Sequence, residues 1–383
     1  MSRFFGILVL LVGYTMFKAW QMWPQQRVVA MSLVIPIFYL MIGGMFLYRS
    51  YPTLIHASWF TVFVFVGGMI MSVWSTFIIF SIPIDVIHLM VYVFRKMSGP
   101  HDPERRAFIS NSFRMGLLAV SGGMAGMGLI EMWRGPRIKK TDIRHAKFPK
   151  SLDGLHVVQI SDLHVSSTIR KDYVQRVVEQ TNALQPDLVF ITGDLADGKI
   201  ELMKEHLEPL KNLRAKQGIY FITGNHEYYW GANDFIALAK SYGFVPLVNE
   251  NQIIQIQGSH IKIAGVTDPV GGNFLANHKS DLQKTFASVQ KSDFNILLAH
   301  RPDTILEAEP LGYDLQFSGH THGGQFFPFN FLTPIANKFW HGLNRHGNMQ
   351  VYVNAGTGYW GPPNRFAISS EISSIRIFSE INS

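Results

Sequence analysis

The stretch that decides the fold is residues 157–164, Val157-Val158-Gln159-Ile160-Ser161-Asp162-Leu163-His164. Its β-branched start is typical of a buried strand. Asp162 and His164 follow, and the side-chain period of two in an extended chain predicts that they face the same side. A carboxylate and an imidazole placed in this way can hold one metal ion. The stretch therefore predicts a buried strand that ends at a metal-binding position.

From Leu155 onward, short β-branched runs alternate with amphipathic segments, which indicates an α/β domain. The predicted strands are Leu155–Ser161, Asp187–Thr192, Ile219–Thr223, His260–Val266, Phe294–Ala299, Asp314–Ser318 and Met349–Asn354. The predicted helices are Lys171–Leu184, Glu201–Arg214, Ala232–Ser241 and Thr304–Glu309. Metal-capable residues follow five of the strands, at the edge where the loops of an α/β sheet converge on a ligand.

Four further strand ends repeat the pattern of Asp162 and His164. Their polar residues are Asp194 and Asp197, Asn225 and His226, His300, and His320 with His322. Gly193 allows a sharp turn, so that Asp194 can enter the same cavity and bridge two ions. A lone Asp-x-His pair is usually coincidence, and a lone histidine usually belongs to the core. Five strands that each end in a ligand-type residue favour a site for two divalent ions such as Mn²⁺, Fe²⁺ or Zn²⁺.

The order Asp-x-His, Gly-Asp-x-x-Asp-Gly, Gly-Asn-His-Glu, His and Gly-His-x-His resembles the calcineurin-like metallophosphoesterase superfamily. The resemblance implies a four-layer α/β sandwich of two mixed β-sheets flanked by helices. It implies a first metal held by Asp162, His164, Asp194 and His322, and a second held by Asp194, Asn225, His300 and His320. It further implies that His226 is catalytic without binding metal, and that Asp197 orients the Gly193–Gly198 turn. Glu227 either orients His226 or is a solvated turn residue.

Within the superfamily, the chain resembles a bacterial membrane-anchored branch. The resemblance rests on Val157–His164, Gly319–Gln325 and the segment from Gly356 to Phe366. It implies hydrolysis of phosphate ester or pyrophosphate bonds by attack of a metal-bridging hydroxide, with Asp194 and His226 as the catalytic residues. It also implies a multi-pass protein of the bacterial inner membrane.

Residues 1–94 are too poor in charge for a soluble surface. The charged residues of this region are Arg3, Lys18, Arg27, Arg49 and Asp85. The apolar segments Phe4–Trp20 and Val28–Tyr48 are long enough to cross a hydrocarbon layer of roughly 30 Å, and Leu54–Phe94 is too long for one simple span. Pro83 and Asp85 are predicted to break the last segment. The sequence therefore predicts a multi-span region over 1–98, a linking segment over 99–134 and a metallophosphoesterase domain over 150–380.

The linking segment has two interpretations. Arg105 and Arg106 before the apolar run Met115–Ile130 resemble a twin-arginine export signal, or they are flanking charges of one more helix. Either interpretation leaves residues 95–114, before the apolar run, on the cytoplasmic side. Crossing of Met115–Ile130 would put the domain outside the cytoplasm, which is the expectation, but the basic residues of 134–147 favour the other side.

Composition excludes several functions. The chain has no cysteine, so thiolate catalysis, disulfides and cysteine metal sites are excluded. The net charge of +7 comes from 34 basic and 27 acidic residues. Much of the basic excess flanks the apolar run, which favours an anionic lipid bilayer as partner and disfavours specific nucleic-acid binding.

The substrate is expected to be a phosphorylated or pyrophosphate-containing molecule, with a lipid as the favoured carrier. Aromatic residues crowd 326–340, directly after His322, either as core or as a loop that meets the lipid interface. Arg301 and Arg365 are candidates for holding a second phosphate. The alternatives are a soluble-substrate phosphodiesterase or nuclease, and a receptor or assembly factor with a structural metal. A transporter is less favoured, because Asp85 is the sole acid and a buried charged pair is not expected in the spans.

Overall fold

The computed structural model describes residues 2–23, 25–95, 103–287 and 290–380. It divides into two compact units. The helical unit comprises Met1–Ile130 with Gly361–Phe366, and the sheet unit comprises Glu131–Trp360 with Ala367–Ser383. The predicted boundaries at residues 98, 134 and 150 stay predictions, although the sheet unit already includes residues before 150.

The described part of the helical unit contains five α-helices. They are α1 (Ser2–Met22), α2 (Arg27–Ser32), α3 (Val34–Ser50), α4 (Ser58–Arg95) and α5 (Pro103–Arg134). Three stretches are long and apolar enough to cross a membrane: Arg27–Gly44, Ser58–Val91 and Phe108–Arg134. Helix α5 runs through Arg105 and Arg106, whose side chains lie outside the described residues.

Two predictions for this unit are wrong. Pro83 lies inside α4 without ending it, because a proline removes one helix hydrogen bond and the remaining bonds of a long helix persist. The second wrong prediction is the absence of a charged pair: Nζ of the buried Lys18 in α1 lies 2.6 Å from the partly exposed Asp85 of α4, and the Tyr14 hydroxyl donates to the same carboxylate. Pairing is the expected solution for charges among apolar helices.

Over the residues that the structure describes, the sheet unit contains twelve strands and seven α-helices. The strands are β1 (Arg137–His145), β2 (Leu155–Ile160), β3 (Leu188–Ile191), β4 (Ile219–Phe221), β5 (Val245–Pro246), β6 (Glu250–Ile256), β7 (Ser259–Gly265), β8 (Phe294–Leu298), β9 (Leu315–Ser318), β10 (Gly342–His346), β11 (Met349–Val353) and β12 (Glu371–Ser379). The helices are α6 (Lys171–Ala183), α7 (Ile200–Leu207), α8 (Asn225–Trp230), α9 (Ala232–Ser241), α10 (Leu282–Phe286), α11 (Ile305–Ala308) and α12 (Phe329–Ala336).

The strands form two six-stranded mixed sheets, which confirms the predicted fold class. The first has the order β1-β12-β2-β3-β4-β5 and the second β10-β11-β9-β8-β7-β6. Pairing is parallel except between β12 and β2, β10 and β11, and β6 and β7. Strands β2, β3 and β4 therefore end at one edge of the first sheet, and β8 and β9 end together in the second.

The core lies between the sheets. Phe190 of β3 packs against Phe317 of β9 with ring centroids 5.0 Å apart, in a cluster that joins both sheets. Val158 and Val189 face the opposite side of the first sheet and are also fully buried. Strands covered on both faces need apolar residues at successive positions, which explains the continuous β-branched runs of the sequence.

Candidate metal centre

The polar residues that follow the parallel strands converge in the sheet unit, but Asp162 and His164 do so for a different reason than predicted. Strand β2 ends at Ile160, and both residues lie beyond it with left-handed φ values of 52° and 49°. The period of two therefore does not apply to them. Their backbone N–H groups donate to the carbonyls of Gly193 and Asp194, at 3.0 and 3.1 Å.

Left-handed backbone is a shared property of the predicted ligands. Asp162, His164, Asp194, His320 and His322 all have φ values between 49° and 71°. This conformation is uncommon outside glycine and persists where surrounding structure enforces it, most often at functional sites. One contact that holds this conformation is the hydrogen bond that the N–H of His320 donates to the Asp162 carboxylate, at 3.0 Å.

The first cluster comprises Asp162, His164 and His322, whose ligand atoms lie within 4.8 Å of one another. Nε2 of His164 lies 3.0 Å from Nε2 of His322, which lies 3.4 Å from Oδ1 of Asp162. Nε2 of His164 is also 3.8 Å from Oδ2 of Asp194. All four residues are buried.

The second cluster lies on the other side of Asp194. Oδ2 of Asp194 is 3.3 Å from Nε2 of His300, which is 3.2 Å from Oδ1 of Asn225 and 3.2 Å from Nδ1 of His320. Asp194, His300 and His320 again have ligand atoms within 4.8 Å of one another. Asp194 thus takes part in both clusters through one oxygen, as the predicted bridge requires.

The donor set fits divalent cations. Nδ1 of His164 contacts Asp197 and Nδ1 of His300 contacts the carbonyl of Thr192, both at 2.8 Å, so these nitrogens carry the ring protons. The Nε2 atoms face carboxylate and amide oxygens of the two clusters. A divalent cation can replace a proton between these atoms and bind them as ligands.

His226 lies beside the clusters. Its Nε2 is 4.0 Å from Oδ2 of Asp194, and its Nδ1 is 2.6 Å from Oδ1 of Asp197. Burial alone would lower the pKa of His226, but Asp197 and Asp194 outweigh burial and raise it to about 9. His164, Asp194 and His226 also meet the distance requirement for a metal site, so geometry alone permits His226 as a ligand.

Asp197 and Glu227 have other contacts than predicted. Asp197 contacts the two histidines His164 and His226, and its role in orienting the Gly193–Gly198 turn stays a prediction. Glu227 is fully buried, so its interpretation as a solvated residue is wrong. Its carboxylate accepts from the backbone N–H groups of Gly224, Asp194 and Leu195 at 2.7, 2.9 and 2.7 Å. It therefore ties the third loop of the site to the second, and does not orient the His226 ring.

Two glycines make the close approach of these loops possible. Gly193 has a φ of 92°, as predicted for the sharp turn before Asp194. A Cβ on Gly319 would overlap the carboxylate of Asp162 and the hydroxyl of Ser161. The loop of His320 can therefore reach Asp162 only with glycine at position 319.

Electrostatics favours ionised carboxylates. Burial would raise the pKa of Asp162 and of Asp194, but the histidines outweigh it and hold both pKa values below the usual range. Burial would lower the pKa of His300, yet Asp194 raises it to about 10. Burial, with the charges of His300 and Arg301, lowers the pKa of His320 to about 4. Cations that bind here meet two negative carboxylates and displace a proton from His300.

The two predicted phosphate-binding arginines are placed differently. Arg301 donates from Nε to Asp268 at 2.9 Å and remains partly exposed next to the second cluster. Asp268 was missed by sequence reasoning, because nothing in its local sequence marks it as the partner of Arg301. Arg365 is fully buried and belongs to the helical unit, so its phosphate contact stays a prediction.

Aromatic side chains that sequence reasoning missed surround His226. Its ring lies 5.3 Å from Tyr229 and 6.0 Å from Trp360, and Tyr229 lies 5.9 Å from Phe274, by ring centroids. All three aromatic residues are exposed. We call them the aromatic rim. In the predicted aromatic loop, Phe326 and Phe339 are buried as core residues, whereas Phe329 and Phe331 are exposed.

Comparison with known proteins gives the following similarities. The profile of the calcineurin-like phosphoesterases matches residues 155–324. An uncharacterized metallophosphoesterase of Helicobacter pylori is 37% identical over 281 residues, which are 72% of this chain and 73% of that protein. The transmembrane protein with metallophosphoesterase domain of Danio rerio is 35% identical over 70% of this chain and 64% of its own. The uncharacterized metallophosphoesterase YkuE of Bacillus subtilis is 32% identical over 70% of this chain and 96% of its own.

Proposed function

This chain belongs to the calcineurin-like metallophosphoesterase family, and from that premise we propose that it is a two-metal hydrolase of lipid-linked phosphate esters or pyrophosphates. The family assigns phosphoester hydrolysis. The number of ions, the residue roles and the lipid substrate are our proposal. The observation that carries it is the convergence of histidine nitrogens and carboxylate oxygens on both sides of Asp194.

We assign the ligands in two sets. Asp162, His164, Asp194 and His322 hold one ion, and Asp194, Asn225, His300 and His320 hold the other. Nitrogen and oxygen donors without thiolate suit Mn²⁺, Fe²⁺ or Zn²⁺. Two bound metal ions would neutralise charge at the phosphoryl oxygens and lower the pKa of a water molecule, so that hydrolysis could proceed at neutral pH.

The protein residues position the ester and move the proton. Asp197 holds the ring of His226 with Nε2 directed toward Asp194. In the ion-free site Asp197 and Asp194 raise the pKa of His226 to about 9 against the effect of burial, and a protonated His226 can give its proton to the departing oxygen. Arg301, partly exposed beside His320, is positioned to bind a second phosphate of a pyrophosphate substrate.

The proposed lipid carrier rests on two observations. The chain has three helical stretches that can cross a membrane, so it is a membrane protein. The aromatic rim places Tyr229 and Trp360 against His226, where the leaving group of a substrate departs. An apolar leaving group can pack against these rings. Multi-pass insertion in a bacterial inner membrane, with the sheet unit outside the cytoplasm, is part of the proposal.

Hydrolysis of bis(p-nitrophenyl) phosphate by the full-length protein in detergent tests the proposed chemistry. After removal of metals with a chelator, activity should return with Mn²⁺. Asp194→Asn and His226→Gln should lose about 10²-fold or more, because a bridging ligand and a proton donor contribute that much. Ser241→Ala, on the exposed end of α9, is the control. Retained metal binding without hydrolysis of this ester or of a phospholipid would instead indicate a structural metal site.

A further inference from the structure

We propose that α12 is a membrane-docking helix, which inserts its apolar face into the bilayer that the chain itself spans and so brings the metal centre to substrates in that bilayer. The docking stands on the surface of the sheet unit alone. Its consequence for substrate capture rests on the proposed function.

The apolar face of α12 is exposed. Phe331, Leu332 and Ile335 are 65%, 43% and 82% exposed, and α12 contains no buried residue. Phe331 and Ile335 are four residues apart and Leu332 and Ile335 three apart, spacings that place side chains next to each other on a helix. The ring of Phe331 also contacts Phe327, 5.5 Å away by ring centroids. Large apolar side chains gathered on an exposed helix face mark a contact with another protein or with a membrane.

The face is continuous with the aromatic rim. The side chain of Gln325, four residues before α12, donates to the carbonyl of Trp360 and accepts from its N–H, both at 2.8 Å. Trp360 in turn contacts the ring of His226. The apolar surface thus extends from α12 to the edge of the proposed active site.

The charge of this region is complementary to an anionic bilayer rather than to a basic protein. Between Asp314 and Glu371 the sequence contains no acidic residue. Lys338, which follows α12, and Arg345 of β10 are exposed. Basic residues beside an exposed apolar helix face are typical of interfacial helices, which lie about 5–10 Å deep in the headgroup region.

In the chain, the sheet unit follows a membrane-length helix after a short connection. Helix α5 contains the third membrane-length stretch and ends at Arg134, and β1 begins at Arg137. The intervening Gly135 and Pro136 can extend by only about 7 Å. A bilayer crossed by α5 is therefore a partner that the sheet unit can reach.

Docking would explain how a lipid-linked phosphate enters the site. The acyl part of the substrate can remain in the bilayer beside Phe331 and Trp360, while the phosphate reaches Asp194 and His226. The lipid would not need to leave the membrane completely, which avoids exposing its apolar chains to water.

Depth-dependent fluorescence quenching tests the docking without any requirement for activity. Because the chain contains no cysteine, Ile335→Cys and Ser241→Cys each provide one labelling site. Both full-length variants are labelled with an environment-sensitive fluorophore and reconstituted in vesicles of phosphatidylcholine and phosphatidylglycerol in equal amounts. Lipids with a nitroxide at the headgroup region should quench the label at 335 several-fold more strongly than the label at 241.

Two results would overturn the proposal. One is equal quenching at both positions. The other is a fluorescence change of the label at 335 that depends on the density of protein in the vesicles and not on the amount of nitroxide lipid. That result would identify a second copy of the chain as the partner.

A variant with Leu332→Ser and Ile335→Ser separates docking from catalysis. It should raise the KM for a phosphatidic acid substrate dispersed in vesicles several-fold and leave hydrolysis of bis(p-nitrophenyl) phosphate unchanged. An unchanged vesicle KM would argue against the docking role. If the unsubstituted protein hydrolysed neither phosphatidic acid in vesicles nor bis(p-nitrophenyl) phosphate, the proposed function would be refuted. The quenching result would still test the docking.

Discussion

Substitution of Gly319 by alanine should disable the first metal cluster with a single methyl group. Position 319 has no left-handed backbone strain, so the effect is purely steric. The added Cβ would overlap the carboxylate of Asp162 and the hydroxyl of Ser161, and relief requires a displacement of about 1 Å. Overpacking of this kind costs about 1–3 kcal/mol of stability. A misplacement of about 1 Å near the reacting groups lowers the rate by about 10²-fold.

The assay compares Gly319→Ala with Gly272→Ala in the full-length protein. A Cβ on Gly272 meets Lys279 at 3.2 Å, away from the clusters, and its backbone is likewise not left-handed, so this variant is a matched control. Calorimetric titration with Mn²⁺ after chelation and hydrolysis of bis(p-nitrophenyl) phosphate should both be impaired only in Gly319→Ala. Wild-type Mn²⁺ affinity in Gly319→Ala would refute the argument that Asp162 is a ligand held in a fixed position.

Two further predictions concern histidines of the metal centre. Because the ion-free site raises the pKa of His300 to about 10, metal binding must displace its proton, and the affinity for Mn²⁺ should rise by about tenfold for each pH unit between about pH 6 and 9. Calorimetry in two buffers of different protonation enthalpy measures the released proton, and an affinity independent of pH would contradict the assignment. Asp197→Asn removes the charge that contacts His164 and His226, so it should weaken metal binding and activity by about 10–100-fold. Its thermal unfolding should stay close to that of the wild type, and unchanged metal affinity would show that Asp197 does not position the histidines.

The seven predicted strands are present because each is a run of β-branched and apolar residues with both faces buried. Strand β1 escaped prediction for the opposite reason. Residues 137–145 carry five charged side chains, Arg137, Lys139, Lys140, Asp142 and Arg144, and were interpreted as a basic flank of the membrane region. They form the edge strand of the first sheet, where lysine and arginine protect against association with other strands. The partner of β1 is β12, which lies more than two hundred residues away in the sequence, and no local sequence pattern indicates such a pairing.

The residue types of the candidate site could be predicted from the sequence, whereas their conformations could not. Asp, His and Asn after buried strands identify a site because few other positions in an apolar sequence tolerate such groups. The left-handed backbone at Asp162 and His164 depends on acceptors in another loop, at Gly193 and Asp194. The partner of Arg301 is Asp268, whose position is set by the fold of a different loop.

The backbone of the site continues the pairing of the first sheet beyond its strands. After β2 and β3 end, Val165 and Ala196 form an isolated parallel bridge, and the N–H of Asp197 donates to the carbonyl of Val165 at 2.8 Å. Glu227 extends this pairing to the loop after β4. A network of this kind can hold several residues in strained conformations at once, because no single loop can relax without breaking bonds to its neighbour.

It follows that the ligands are held in place before any ion binds. Backbone hydrogen bonds between neighbouring loops bring the possible ligand atoms around Asp194 together, so the relative positions of these atoms do not depend on a bound ion. Metal binding should therefore stabilise the sheet unit against unfolding more than it changes its structure, since any ligand that binds only the folded state shifts the folding equilibrium toward that state.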